Sequence, residues 1–112
     1  MKEIKAIIQP HMLTKVIDSL KAMENLPGVT VSEVRGFGHS SAEPAKNKIV
    51  EDFIEYAKKA KIEIVVPDEL AEQVVDVITR NAHTGLPGDG LIFVSPVNEV
   101  VKIRTGERCG EP

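Results

Sequence analysis

A repeated pattern of apolar residues constrains the fold of this chain more than any other feature. The first half has an amphipathic helical spacing of apolar side chains, at Met12, Val16, Ile17 and Leu20. The same spacing returns 58 residues later, at Leu70, Val74, Val75 and Ile78. A constant offset of this kind indicates an internal duplication. The chain is therefore expected to fold as two similar halves.

Each helical segment lies between two segments whose composition is typical of strands. In the first half these are residues 2–9, closed by a proline, and the β-branched stretch 29–34. In the second half they are residues 61–66 and 91–94, and residues 100–104 form a candidate further strand. The order βαββαβ predicts an α+β, ferredoxin-like domain whose antiparallel sheet is covered by two helices on one face.

The other face of this sheet is not covered by a helix. Ile62 and Ile64 alternate with Glu63 and Val65, so both faces of that strand bear apolar side chains. An apolar sheet face left open to water favours self-association. We therefore expect a homo-oligomer.

Composition limits the class of protein. A length of 112 residues fits one domain spanning residues 1–112, and a single cysteine, Cys109, excludes a disulfide scaffold. A net charge of −3 with 4% aromatic residues argues against a nucleic-acid reader. The amino terminus lacks the apolar core of a signal peptide, and no stretch approaches the roughly 20 apolar residues of a membrane span. These features predict a soluble, cytoplasmic protein.

Three glycine-containing segments are candidates for ligand binding: Arg35–His39, Thr84–Gly90 and Lys102–Glu107. Glycine allows backbone N–H groups to converge on an anion without a Cβ in the way. The first two segments lack the spacing of a Walker loop or a dinucleotide fingerprint, and each alone also fits an ordinary turn. On a strand, the cations of the third segment would point to one side, either as a solvated face or as a phosphate clamp.

Taken in order along the chain, several motifs resemble the PII signalling protein family. They are KEIKAII, TVSEVRGFG, KIEIVVPDEL, the TG, GDG and IFV of residues 84–94, and the terminal IRTGE. Together they cover nearly the whole chain outside residues 39–57. The resemblance implies a homotrimer with an adenine nucleotide (ATP, ADP or AMP) in each cleft between subunits, with Mg²⁺ as an accompanying ion. It also implies a sensor of small-molecule effectors, often 2-oxoglutarate, and not an enzyme. Such a protein changes the conformation of a long loop that docks on a transporter, enzyme or regulator, and it would contact a membrane only through that partner.

The resemblance also implies which positions bind the nucleotide. The adenine and ribose region corresponds to Ile7, Thr30, Glu63, Ile64 and Val65, and Gly28 and Val29 are further nucleotide-binding positions. The base of the long loop, close to the phosphates, corresponds to Gly36, Phe37, Gly38, His39 and Ser40. The phosphate loop, within residues 83–91, corresponds to Leu86, Pro87, Gly88, Asp89, Gly90 and Leu91. Lys59 corresponds to a lysine that meets phosphate or the carboxylate of 2-oxoglutarate.

Two further segments follow from the same resemblance. The carboxyl-terminal segment, residues 97–112, would bring the basic pair Lys102 and Arg104 across from the neighbouring subunit. The partner-binding loop would span about residues 38–60, with residues 39–58 docking on the partner.

Departures from the family pattern predict altered ligand preference. Ser40 stands where family members usually have a glutamine that helps to coordinate magnesium with 2-oxoglutarate. Leu86-Pro87 replaces a Lys-Ile pair, and Leu91 replaces a lysine. Losing cations weakens the hold on the most highly charged ligand most, so binding of ATP should suffer more than binding of ADP or AMP.

The segment corresponding to the long loop is also atypical. Asp52 stands at the usual modifiable tyrosine, so uridylylation is excluded there, and Tyr56 is interpreted as a packing residue. Ile49, Phe53 and Ala57 recur every four residues, which predicts a short amphipathic helix. Such a helix would either pack on its own trimer or bind a partner.

The three histidines, His11, His39 and His83, show no metal-ligand spacing, and no metal site is predicted. His39, beside Ser40 and Glu43, is the strongest metal-ligand candidate among them. The favoured interpretation of His39 is nevertheless a neutral surface or phosphate-contacting histidine.

Two functions remain open from the sequence. The first is a PII-like signal protein that binds adenine nucleotide between subunits and regulates a partner in nitrogen metabolism. The second is a divergent sensor of another small ligand, bicarbonate or a divalent metal, that regulates a transporter or microcompartment. No local arrangement of nucleophile and base supports an enzyme. A purely structural trimer predicts that substituting Gly88 or Arg104 changes no ligand affinity.

Overall fold

The computed structural model describes residues 1–37 and 57–109. Its elements, in chain order, are β1 (Lys2–Ile8), a 3₁₀ turn (Pro10–Met12), α1 (Leu13–Lys21), β2 (Thr30–Gly36), β3 (Ala57–Val66), α2 (Asp68–Ala82), β4 (Gly90–Pro96), β5 (Val100–Val101) and β6 (Arg108–Cys109).

The first four strands form one antiparallel sheet in the order β2-β3-β1-β4, and β5 and β6 form a separate short hairpin. With helices after β1 and β3, this is the ferredoxin-like βαββαβ arrangement, and the predicted α+β fold is confirmed. The edges of the sheet are β2 and β4. Within the described residues, no helix is long and apolar enough to cross a bilayer.

The core lies between the sheet and the two helices, and it reproduces the duplication. The buried residues of β1 are Ile4, Ala6 and Ile8, and those at the same offset of 58 in β3, Ile62, Ile64 and Val66, are buried together with Ala60. The helices bury Val16 and Leu20 in α1 and the equivalent Val74 and Ile78 in α2. Burying each aliphatic side chain of this size contributes roughly 1.5–3 kcal/mol. The predicted helical stripes are therefore the inward faces of the helices.

Proline begins both helical segments. Pro10 follows β1 at the first position of the 3₁₀ turn, and Pro67 caps α2 with an extended backbone at φ −57° and ψ 151°. Proline fixes φ at a helical value and lacks the N–H that a helix start would leave unpaired. Asp68 in the first turn of α2 lies 2.9 Å from the amino-terminal ammonium group. That hydrogen bond lowers the pKa of the Asp68 carboxyl below its usual value.

Two sequence expectations need correction. The strand expected at residues 100–104 ends at Val101, because Gly106, at φ 70°, donates to the Lys102 carbonyl at 2.7 Å and closes a turn. Lys102 and Arg104 lie in that exposed turn and not side by side on a strand. In addition, β3 begins at Ala57, so residues 57–60 of the expected loop are strand, and Ala57 does not end a helix. The rest of the predicted amphipathic helix, with Asp52 and Tyr56, lies outside the described residues.

Candidate functional site

One end of the main sheet gathers most of the glycine-containing segments. The strand register pairs Ile8 with Ala60 on one side and with Gly90 on the other. Gly36, at the end of β2, pairs with Ala57 at the start of β3. The end of β1, the end of β2 and the starts of β3 and β4 therefore lie together. We call this region the loop cluster: residues 36–37, Lys59 and residues 83–90.

The 83–90 loop is held together from within by the carboxylate of Asp89. The backbone N–H groups of Thr84 and Gly85 donate to Asp89 Oδ2 at 2.9 and 3.0 Å. The Thr84 hydroxyl also donates to this carboxylate and accepts from the Leu86 N–H at 3.1 Å. His83 Nδ1 lies 3.5 Å from the same carboxylate. Asp89 therefore orders the loop, and its carboxylate is occupied by partners inside the loop.

The same donors explain the acidity of Asp89. The hydrogen bond from the Thr84 hydroxyl, followed by that from the Thr84 N–H, holds the pKa of the Asp89 carboxyl below its usual value. The Gly85 N–H and the charge of His83 act in the same direction. Hydrogen bonds to a carboxylate favour its ionised form. The loop is thus built around a negative charge.

Two glycines let this loop lie against the end of β1. Gly90 has φ 110°, and a Cβ at this position would lie 1.7 Å from the Ile7 carbonyl oxygen. Gly88 has φ 92°, and a Cβ there would lie 2.8 Å from Nε2 of Gln9. Positive φ and close backbone approach are both conditions that favour glycine. Gly90 is consequently required by the fold itself, whatever its role toward a ligand.

Lys59 connects β3 with the 83–90 loop. Its ammonium group donates to the Gly88 carbonyl oxygen at 3.0 Å. Lys59 is half-buried and pairs across the sheet with Val34 on the face opposite the helices. Lys59, which the resemblance places near phosphate, therefore lies against the glycine loop.

The helix-free face of the sheet continues from the loop cluster, and we call it the open face. Ile7, Glu63 and Val65 lie on it and are half-buried, and Lys61 forms an ion pair with Glu63 at 3.4 Å. Ile64 alternates to the other face and is 1% exposed. The side chain of Ile64 is therefore buried in the core and does not line the open face.

Two sets of predicted residues lie away from the loop cluster within one chain. Gly28, Val29 and Thr30 lie at or just before the beginning of β2, the opposite end of this strand from Gly36. Lys102 and Arg104 lie in the turn between β5 and β6. Gly38, His39 and Ser40 lie outside the described residues.

The side chains around the 83–90 loop differ in character from a highly cationic phosphate site. Residues 83–91 contain no lysine or arginine. Leu86 and Leu91 are instead 69% and 65% exposed. Among the described residues, no group of three His, Cys, Asp or Glu side chains is placed to hold a metal ion.

The sequence does not identify Gln9, which lies beside Gly88 in the structure. It includes Thr84 in the candidate segment Thr84–Gly90, but it does not indicate the role of Thr84 in ordering the carboxylate of Asp89. The spacing of a threonine five residues before an aspartate, with glycines between them, is a weak signal for such a loop. No pattern in the sequence distinguishes Gln9 from any polar residue that follows a strand.

The topology and the loop cluster define a small α+β domain of the ferredoxin-like class whose glycine loops converge at one end of the sheet. The family model described as "Nitrogen regulatory protein P-II" matches residues 1–107. The chain therefore belongs to the nitrogen regulatory protein P-II family, which confirms the resemblance.

Individual relatives agree with this assignment over nearly the full length of both chains. The nitrogen regulatory protein P-II of Azospirillum brasilense is 43% identical over 99% of this chain and 98% of the relative. That of Microchaete diplosiphon is 46% identical over the same shares of the two chains. Nitrogen regulatory protein P-II 1 of Escherichia coli (strain K12) is 46% identical over 96% of this chain and 95% of the relative. These names describe regulatory proteins and not enzymes.

Proposed function

We propose that this protein is a cytoplasmic, trimeric regulator in nitrogen metabolism that binds an adenine nucleotide between its subunits and controls a partner protein through residues 39–58. The observation that carries the proposal is the convergence of Gly36, Lys59 and the 83–90 loop at one end of the sheet in a chain of this family. Backbone N–H groups near glycines, together with a lysine, suit the phosphates of a nucleotide.

The predicted nucleotide-binding residues lie in separate regions of a single chain, which supports a site that two subunits share. Residues 28–30 and the cations Lys102 and Arg104 lie away from the loop cluster in a single chain. The open face exposes Phe93 by 51% and Leu91 by 65%, which a neighbouring subunit would cover. Closed rotational symmetry would then place the loop cluster of one subunit beside the other elements of the next.

Each part of the site has a chemistry that suits part of a nucleotide. Lys59 supplies a cation beside the glycine loop, where phosphate oxygens would replace the Gly88 carbonyl as its partner. Ile7 and Val65 supply apolar surface for a base, and Glu63 supplies an acceptor beside them. Lys102 and Arg104 would add positive charge from the neighbouring subunit, and Mg²⁺ would accompany a triphosphate.

Binding can reach the partner segment through β3. Lys59 lies two positions after Ala57, and Ala57 pairs with Gly36 where the two strands lead into residues 38–56. A ligand that engages Lys59 in one conformation of this junction and not in another would shift the population of those conformations. The effector therefore acts by differential binding and requires no chemical reaction.

The scarcity of cations in residues 83–91 favours ADP or AMP over ATP, since attraction grows with ligand charge. Because a singly charged anion depends on cations less than a nucleotide polyphosphate does, the same observation favours a second candidate, a sensor of a small anion such as bicarbonate. In that case a nucleotide would set the affinity for the anion and 2-oxoglutarate would have little effect.

Calorimetric titration with ATP, ADP and AMP tests the proposal, each with and without Mg²⁺ and with either 2-oxoglutarate or bicarbonate. Light scattering after size exclusion gives the mass of the assembly in parallel. Tighter binding of ADP or AMP than of ATP to a trimer is the expected result, and enhancement by bicarbonate would select the second candidate. Enhancement of ATP binding by 2-oxoglutarate would contradict the expected preference, and no nucleotide binding at all would overturn the proposal.

A further inference from the structure

Two cations face each other across the strands that lead into the partner segment. Arg35 of β2 and Lys58 of β3 are direct neighbours in the antiparallel register, and both are exposed. Directly opposed side chains in such a pair have Cβ atoms roughly 5 Å apart, and like charges at this distance destabilise the sheet. The chain therefore maintains an arrangement that costs stability.

Among the described residues, no acidic side chain forms an ion pair with either cation. The ion pairs found in residues 1–37 and 57–109 involve other groups, and neither Arg35 nor Lys58 takes part in one. The nearest acid on the same face of β2, Glu33, is opposite Ala60 and not opposite Lys58. The whole chain has a net charge of −3, so the pair is a local exception to an acidic molecule.

The pair is separate from the loop cluster. Ala60 is buried on the helix side of the sheet, and side chains alternate along a strand, so Lys58 and Arg35 point to the helix side. Lys59 and its cross-strand neighbour Val34 point to the open face, where Lys59 contacts Gly88. A nucleotide held by Lys59 would thus lie on the other side of these two strands.

We infer that Arg35 and Lys58 bind a carboxylate-rich segment of the partner protein. The register places them one pair before Gly36 and Ala57, at the base of residues 38–56. The guanidinium group of arginine binds a carboxylate through two parallel hydrogen bonds, and the adjacent ammonium group accommodates a second acidic side chain. This inference rests on the proposed regulation of a partner and adds the chemistry of the partner's surface.

Reversal of one charge tests the inference because it separates stability from binding. Lys58→Glu creates an attractive pair with Arg35, so the variant should melt at the same temperature as the parent protein or higher. The probe is a fluorescein-labelled peptide of about ten glutamates, followed by fluorescence anisotropy at low and moderate salt. Lys58→Glu should lower its affinity about tenfold, a loss typical of charge-assisted contacts.

A matched control makes the same change of charge elsewhere. Lys15 is exposed on α1, and Lys15→Glu should leave the peptide affinity within about twofold of the parent protein. Arg35→Gln removes the other cation without adding an acid, and it should lower the affinity as well.

Three outcomes would overturn the inference: no peptide binding by the parent protein, equal losses in Lys58→Glu and Lys15→Glu, or tighter binding of a single-stranded DNA of equal charge. Titration of the same variants with ATP, ADP and AMP distinguishes failure of this inference from failure of the proposed function. Nucleotide affinity should be unchanged in Lys58→Glu, whereas absence of nucleotide binding in the parent protein would count against the proposed function alone.

Discussion

The ammonium group of Lys59 donates a hydrogen bond of 3.0 Å to the carbonyl oxygen of Gly88. This contact joins residues 29 positions apart in the sequence and links the start of β3 with the loop that precedes β4. Lys59 therefore lies between the proposed phosphate site and the strand pair that leads into residues 38–56. Its position makes Lys59 the residue through which ligand binding is most directly tested.

We expect Lys59→Ala to weaken nucleotide binding about tenfold, because the variant loses a charge-assisted contact to phosphate. Stability should fall by no more than about 1 kcal/mol, since the hydrogen bond is exposed. Calorimetric titration with ADP measures the first effect and urea unfolding the second. Lys15→Ala, which removes an exposed cation of α1, serves as the control and should leave the affinity unchanged. Equal affinities of Lys59→Ala and the parent protein would show that Lys59 does not contact the ligand.

Gly90→Ala should destabilise the fold by about 2–4 kcal/mol, because a positive φ and a backbone clash act together. The added Cβ would lie 1.7 Å from the Ile7 carbonyl oxygen, and neither backbone can move without breaking the pairing of β1 with β4. Gly28→Ala is the matched control, since a Cβ there meets nothing within 4 Å. Urea unfolding of the two variants should separate them clearly. Equal stabilities would mean that the β1–β4 pairing shifts at little cost.

The sequence predicted those parts of the molecule that depend on local periodicity. The spacing of Val16 with Leu20 and of Val74 with Ile78 identified the inward faces of both helices, because burial of one helical face requires that period. The alternation in residues 100–104 led to a wrong prediction of the length of β5, because alternation does not encode where a strand ends. There, the turn closed by Gly106 ends the strand. The bonds between Thr84 and Asp89 depend on loop geometry and have no periodic signature.

The order of the 83–90 loop should depend on pH through Asp89. The folded-state pKa of this carboxyl is lowered, chiefly by the Thr84 hydroxyl, so its stabilising effect is complete above the unfolded value of about 3.9. The effect is lost as the pH falls through the lower folded value. The amide NMR signals of Thr84 and Gly85 should therefore shift as the pH falls through this lowered pKa. In Asp89→Asn these amide signals should be shifted at neutral pH and should no longer titrate with this carboxyl. Asp68→Asn is the control: it removes another carboxyl whose pKa is lowered, and the titration of the Thr84 and Gly85 signals should be unchanged.

Phe93→Glu should prevent assembly of the proposed trimer. Phe93 is 51% exposed on the open face, so a charged residue there places a carboxylate in the contact that a neighbouring subunit would make. Light scattering after size exclusion should give the mass of a single chain, with the circular dichroism spectrum of the folded protein retained. Thr14→Glu, on the exposed side of α1, should leave the assembly unchanged. A trimeric Phe93→Glu variant would place the interface on another surface.

Leu91→Lys should increase the preference for ATP over ADP by about threefold, the effect of one partly exposed ion pair. Leu91 is 65% exposed on the open face and pairs with Ile7, directly after the glycine loop, so a lysine there would add charge beside the proposed phosphate site. The preference changes because an added cation attracts the ligand with the additional phosphate more strongly. The control is Ser95→Lys, which lies on the same face of β4 but four positions further from the loop. Its ratio of ATP to ADP affinities should match that of the parent protein. An equal ratio in Leu91→Lys and Ser95→Lys would show that position 91 does not set nucleotide preference, and the search for its basis would turn to Lys102 and Arg104.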